Sequence, residues 1–168
     1  GWRDGLPPIW YPTHASAYYV GVTGGSFTEV SCQGVRSQFD YLQPENNRYK
    51  NPFGTEVALF RTSDGGTARM IVSWDSPGYG GEMGRVRGQK GTYYNDHDNF
   101  KTAEKAQKQP EIKRPPLPPS VDPGSHGGSH GYLMNDFVLS ILENRKPLVG
   151  VVEALNMTVA GIVAHQSA

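Results

Sequence analysis

The chain has 168 residues, with 16 basic and 16 acidic side chains and no net charge, so its overall field has nothing to gather nucleic acid or to hold it on an anionic membrane. Its 21 glycines and 13 prolines make up a fifth of the sequence, against roughly 12% in average usage, which excludes a helix bundle. The single Cys32 excludes an internal disulfide and any Cys-x-x-C metal or redox pair.

At this length one domain is expected, here residues 1–168. No apolar run approaches the roughly 20 residues of a membrane span, and the amino end lacks the basic-then-apolar pattern of a signal peptide. The sequence therefore predicts a soluble chain with neither membrane nor nucleic acid as partner. It begins at Gly1 without a methionine, and its last helical pattern reaches Ala168 without a stop signal, which predicts an excised piece of a longer protein.

After a turn-rich start from Gly1 to Pro8, Ala15, Tyr18, Tyr19 and Val22 fall at helical spacing on one face. Thr13 is the expected N-cap, and Gly24-Gly25 the expected stop. Phe27 to Val35 predicts a strand with Val30 and Cys32 on one side. Glu56 to Thr62 and Thr67 to Trp74 predict a hairpin closed by Ser63-Asp64-Gly65-Gly66, with Asp64-Gly65 supplying the positive φ angles of a tight turn. A second hairpin joins Arg85-Val86-Arg87 to Thr92-Tyr93-Tyr94 through Gly88-Gln89-Lys90-Gly91. Phe100 to Pro119, lysine-rich and ending in a proline run, reads as an extended, exposed arm.

Helix returns at Ser129, the expected N-cap, with Leu133, Met134, Phe137, Val138, Ile141 and Leu142 in one apolar stripe. Val151 to Ala168 predicts a last helix whose face of Ala154, Met157, Gly161 and Ala164 allows close packing, with Leu155, Val159 and Ile162 beside it. Segregated hairpins and helices predict an α+β fold: an open, mainly antiparallel sheet with helices packed on one face.

Several chemistries lack their motifs. There is no P-loop and no G-x-S-x-G elbow. The cluster Gly78 to Gly84 puts Met83 where a dinucleotide fingerprint needs its third glycine. That cluster reads as a loop between strands, although Glu82 and Arg85 could hydrogen-bond a polyol. Cys32, mid-strand, does not read as reactive.

His14 falls in the first turn of a predicted helix, at the positive end of its dipole, where a neutral ring can accept or donate a proton. Trp10 and Tyr11 beside it add an aromatic wall and a phenol, which suit a sugar ring. A capping or core histidine fits that spacing equally well. His126 and His130 have the i, i+4 separation of two metal ligands, but the glycines between them make the stretch a loop without an acidic third ligand. Holding ligand hydroxyl or anionic groups before a helix N-terminus is the better functional reading. His97 reads as part of a polar turn and His165 as structural.

The string Trp10-Tyr11-Pro12-Thr13-His14, the Glu56 to Trp74 hairpin, the Gly88-Gln89-Lys90-Gly91-Thr92 turn and the His126-Gly127-Gly128-Ser129 loop together resemble one family. It is the glucose-fructose oxidoreductase, inositol dehydrogenase and MocA family, and the likeness covers only its C-terminal half, whose fold is that of the dihydrodipicolinate reductase-like C-terminal domain. The resemblance implies a substrate-binding and oligomerisation domain, with the N-terminal Rossmann domain, its glycine-rich loop and its Glu-Lys-Pro motif lying outside the chain. It implies NAD or NADP in the intact protein, none on this fragment alone, a sugar or glycoside substrate, and a homo-oligomer formed through the sheet.

Dehydrogenases of the family carry Asp and His four apart at this helix. His14 matches the histidine, while Trp10 stands at the aspartate position. The Tyr-Pro-Thr-His form resembles the branch containing NAD-dependent α-N-acetylgalactosaminidases, which implies Tyr11 and His14 in substrate binding and proton transfer. Trp10, Glu82, Arg85, His126 and His130 would complete the substrate site. The alternative is a free-standing α+β carbohydrate-binding or assembly module without a cofactor.

Overall fold

The computed structural model describes residues 1–77, 83–94, 99–102, 106–108 and 116–168, with backbone alone for 94, 99–102 and 106–108. A short 3-10 turn, Pro8–Trp10, leads into helix α1, Thr13–Thr23. Three antiparallel strands follow, β1 (Phe27–Arg36), β2 (Phe53–Thr62) and β3 (Thr67–Ser73), in spatial order β1-β2-β3. A second antiparallel sheet contains β4 (Arg85–Gly88), β5 (Gly91–Tyr94), β6 (Asn99–Thr102) and β7 (Ala106–Lys108), in that order. Helices α2, Ser129–Leu142, and α3, Val151–Gln166, complete the fold. The result is an α+β fold of open antiparallel sheets and helices, as the sequence pattern predicts.

The first sheet explains the core. Glu56, Ala58, Phe60 and Thr62 on β2 are buried, while Leu59 and Arg61 between them are exposed and Val57 is partly covered. This is the period of two that a half-buried strand imposes. Register aligns Val30 with Phe60 and Ala68, and Cys32 with Ala58 and Met70. Ile9 and Ala164 close this face from the 3-10 turn and from α3. Phe27 meets Phe60 at a centroid distance of 5.0 Å, the two rings inclined by 50°.

Gly161 sets how closely α3 can approach. A Cβ built there would lie 2.2 Å from the Ile9 carbonyl oxygen and 2.5 Å from Pro12 Cγ. Gly161→Ala should therefore lower unfolding free energy by about 1–3 kcal/mol through overpacking, against a helix-propensity gain of about 1 kcal/mol. Urea unfolding would measure the net. A rise in midpoint would show that the helix can shift away at little cost.

Several local expectations are corrected. Thr13 is the first residue of α1, and Pro12 takes the cap position with no side-chain hydrogen bond, because the Pro12 carbonyl already accepts from the Ala15 and Ser16 amides. The buried face of α1 is Ser16 and Val20, and Val22 is 81% exposed. In the β2–β3 turn only Gly65 takes a positive φ, of +85°. Asp64 instead accepts hydrogen bonds from the Thr62 and Tyr19 hydroxyls and the Gly66 amide, and the Thr62 hydroxyl first among these holds its carboxyl below the usual range. Ser129 begins α2 after Gly128, whose φ of +87° makes the turn into the helix. The stretch read as an exposed arm begins with strands β6 and β7 added to the second sheet.

Helix α2 departs furthest from its sequence pattern. Its apolar stripe is exposed, from 46% at Val138 to 74% at Leu142, and its buried residues are Gly131 and Ser140. The helix is held at its ends. Gly131 N–H donates to the Pro123 carbonyl, and Asp136 accepts from the Leu148 amide and Arg145. On α3, Gly161 and Ala164 are buried as the small-residue face predicts, whereas Ala154, Leu155 and Ile162 are exposed. A groove of about 380 Å³ runs between α3 and the edge of the first sheet, lined by Phe27, Val30, Phe60, Leu155, Val159 and Val163 among others. No helix among the described residues is long and apolar enough to cross a membrane.

Candidate functional site

The segment from Leu6 to His14 carries most of the predicted site, and its shape follows from its prolines. Pro7, Pro8 and Pro12 are fully buried. Their fixed φ angles favour a tight 3-10 turn and then a helix start. Trp74 at the end of the β2–β3 hairpin donates its indole N–H to the Leu6 carbonyl at 2.8 Å, tying the segment to the sheet.

Successive side chains then diverge. Tyr11 and His14 come together, ring centroids 5.0 Å apart and planes inclined by 31°. Trp74 meets Tyr11 edge-on at 5.5 Å, and the Arg3 guanidinium lies 5.0 Å from the Tyr11 ring centre. His14 is exposed in the first turn of α1. This group offers a phenol and an imidazole side by side against aromatic surface, able to hydrogen-bond neighbouring hydroxyls. One turn further along α1, the backbone of Gly84 lies against the Tyr18 ring, where a Cβ would come within 2.3 Å. That approach brings the start of β4, and with it exposed Arg85, beside the helix that carries His14. Glu82 lies outside the described residues.

Trp10 turns the other way. Its ring meets His165 on α3 edge-on at 5.6 Å and Tyr49 at 6.2 Å. Behind it is a polar group whose histidine the sequence marks only as structural. Glu56, completely buried on β2, receives the Ile9 amide on Oε2 at 2.9 Å, and its Oε1 lies 2.7 Å from Nδ1 of His165. Phe53 closes the far side of the imidazole, centroids 6.1 Å apart. Gly34 makes room for it, since a Cβ there would lie 2.4 Å from the Phe53 ring.

A faint signal for this pair exists in the sequence. Glu56 occupies an inward position of the alternation Glu56, Ala58, Phe60, Thr62, and a carboxylate on a core-facing position needs a partner. That the partner comes from 109 positions away is a tertiary fact.

Cys32, opposite Ala58 in the core, has its thiol pushed up to about 11, by burial first and by the Glu56 charge second. A thiol that titrates near 9 in the unfolded chain and near 11 in the fold keeps its proton better when folded. Stability should therefore fall as pH rises from about 9 to about 11, and alkylation of Cys32 at pH 8 should follow unfolding. Rapid alkylation of the folded chain would contradict this burial.

His126 and His130 also come together, ring centroids 4.8 Å apart, with Ser125 Oγ at 3.0 and 3.1 Å from their Nδ1 atoms. His126 takes φ +56° and Gly124, Gly127 and Gly128 are also left-handed, so the loop coils tightly before α2. Its described hydrogen bonds join it to itself and to the turn at 122–124. Among the described residues no three His, Cys, Asp or Glu side chains cluster as metal ligands. The described strands pair only antiparallel, so these residues contain no strand, glycine turn and helix of the kind that cradles a dinucleotide.

No protein-family model matches the chain, and no curated protein matches it. Solved structures do resemble it. UDP-N-acetylglucosamine 3-dehydrogenase from Acidithiobacillus ferrooxidans matches 96% of this chain at 13% identity with a TM-score of 0.64, over 47% of its own length. An oxidoreductase from Agrobacterium radiobacter, solved with NAD+, L-tartaric acid and magnesium, matches 94% at 12% identity and TM-score 0.63, over 44% of its length. Aldose-aldose oxidoreductase from Caulobacter crescentus, complexed with glycerol, matches 94% at 18% identity and TM-score 0.56, over 43% of its length. The chain thus spans about half the length of these structures, and it has the fold that occurs as one part of each of these oxidoreductases.

Proposed function

We propose that this chain is the substrate-facing C-terminal half of an NAD(P)-dependent oxidoreductase of the glucose-fructose oxidoreductase, inositol dehydrogenase and MocA type, acting on a sugar or glycoside. The observation that carries the reading is the fold, which is matched across 96% of the chain by about half of a sugar-nucleotide dehydrogenase. The pairing of Tyr11 with His14 at the start of α1 supports it further. In this reading the dinucleotide belongs to a separate domain.

The residues of this chain bind and orient. Tyr11 and His14 hold hydroxyls of the ring and carry a proton at the phenol oxygen or an imidazole nitrogen, as positioned acid–base groups do. Arg85, beside the same helix, hydrogen-bonds a further hydroxyl, and Glu82 is assigned to the same substrate site from the sequence. The ring pair His126 and His130 lends further hydrogen-bonding nitrogens at the start of α2. The finer assignment, to the branch of NAD-dependent α-N-acetylgalactosaminidases, rests on the Tyr-Pro-Thr-His string alone. Exposed Val35, Leu59 and Ile71 on the outer face of the first sheet support a homo-oligomer formed through it.

The test is expression with the native upstream sequence, asking whether NAD(H) copurifies and whether sugars are turned over. Copurification is expected, as is a loss of turnover of 10²-fold or more in His14→Ala, the size of effect ordinary for an acid–base group. Intact protein with neither bound nor bindable nicotinamide would overturn the reading. Unchanged turnover of every accepted sugar in His14→Ala would remove the role of His14.

A further inference from the structure

Glu56 and His165 form a carboxylate–imidazole dyad whose free end is available. Glu56 is completely buried and both of its oxygens are engaged, one by the Ile9 amide and one by His165. A carboxylate can only accept, so the hydrogen of the 2.7 Å contact sits on Nδ1 of the imidazole, and a neutral ring then carries its lone pair on Nε2. Among the described residues nothing else hydrogen-bonds this ring. None of their side-chain nitrogens or oxygens is both buried and unpartnered, and the His165 side chain is 22% exposed. Nε2 therefore reaches solvent.

It does so beside Trp10, which keeps 38% of its surface exposed while meeting the imidazole edge-on. Phe53 and the Glu56 carboxylate fix the ring from behind. A histidine that only pinned the end of α3 would need the contact to Glu56 but no open second nitrogen. An oriented acceptor next to an exposed aromatic surface is the pairing that recognises a hydroxyl-bearing ring, apolar on one face and polar at its edge.

We propose that Trp10 and the Glu56-oriented His165 form a subsite for a neutral sugar ring, with Nε2 accepting a ring hydroxyl and Trp10 lying against the ring. The inference rests on the sugar reading above and extends it, because Trp10 faces this dyad and Tyr11 and His14 belong to another cluster.

The experiment is NMR on the full 168-residue chain carrying 15N-labelled histidine and tryptophan and ring-labelled tyrosine, titrated separately with glucose, N-acetylglucosamine and N-acetylgalactosamine. Before titration, the ring nitrogens of His165 should report hydrogen on Nδ1. At least one sugar should then shift His165 Nε2 and the Trp10 indole saturably. Glu56→Gln can still accept from the Ile9 amide but would present an N–H to His165, reversing the tautomer to Nε2–H. Affinity should fall at least tenfold, which mere packing would not predict in a folded variant. His165→Gln, which removes the ring, should give a similar loss and serves if Glu56→Gln fails to fold.

Unchanged affinity in either folded variant, or silence of His165 and Trp10 with all three sugars, would overturn the subsite. Shifts confined to Tyr11 and His14 would overturn it while leaving the proposed function standing. Shifts at His165 and Trp10 in a protein whose intact form binds no nicotinamide would uphold the subsite and discard the oxidoreductase reading.

Discussion

Glu56→Ala should lower the unfolding free energy of this chain by about 2–6 kcal/mol, the combined cost of leaving two donors without their acceptor. The substitution leaves the Ile9 amide and Nδ1 of His165 without acceptors inside the core, and each orphaned buried group costs about 1–3 kcal/mol. It also removes a carboxylate that joins three elements: the 3-10 turn, β2 and α3. Equilibrium unfolding in urea would measure the loss. The pair as a unit should contribute much less than its halves suggest, because two charges or dipoles taken from water return little net energy. Glu56→Leu combined with His165→Leu should accordingly recover more than half of the single-variant loss. A Glu56→Ala cost below about 1 kcal/mol would mean that the Ile9 amide and His165 find other partners.

Phe60→Ala should cost a similar amount, about 3–5 kcal/mol, for a different reason. Phe60 is the largest of the fully buried side chains among the described residues, 1% exposed, and pairs across the sheet with Val30 and Ala68. Truncating it removes the contact with Phe27 and opens the sheet beneath the groove that Phe60 helps to line. Buried apolar contact is lost and a cavity is left behind, and the close-packed small residues of α3 cannot move in, since Gly161 already rests on backbone. Thermal unfolding would report the loss, and the groove should bind a hydrophobic dye more strongly than in the parent chain. A cost under about 1.5 kcal/mol would show that the sheet and α3 collapse onto the space.

The two variants also separate what is local from what is not. The β2–β3 hairpin was legible because period-two alternation and a glycine at the turn are local signals. The structure keeps both and changes only which turn residue takes the positive φ. Helix α1 was legible in extent but not in orientation. Ala15, Tyr18, Tyr19 and Val22 form a reasonable stripe, yet the face that enters the core is Ser16 and Val20, because Ser16 donates to the Met157 carbonyl of α3 and the backbone there must come close. In α2 the sequence pattern marks an apolar stripe correctly, but periodicity cannot say what covers a stripe. The chain itself leaves this one exposed.

The candidate site divides in the same way. Tyr11 and His14 were found from three residues of spacing at a helix start, and the rings do meet. His126 and His130 stand at i, i+4, and left-handed glycines coil the loop so that His126 meets His130 in the first turn of α2. Trp10 was grouped with Tyr11 by adjacency, but neighbouring side chains on a 3-10 turn point apart, and its partners are Tyr49 and His165. By itself the sequence determined the α+β class, the hairpins, the small-residue face of α3 and the Tyr11–His14 pair, all of which rest on short-range periodicity and turn chemistry. Only the tertiary structure decided that Glu56 meets His165 across 109 positions and that Trp10 faces them, because a buried carboxylate announces its need for a partner while chain topology alone chooses which residue arrives.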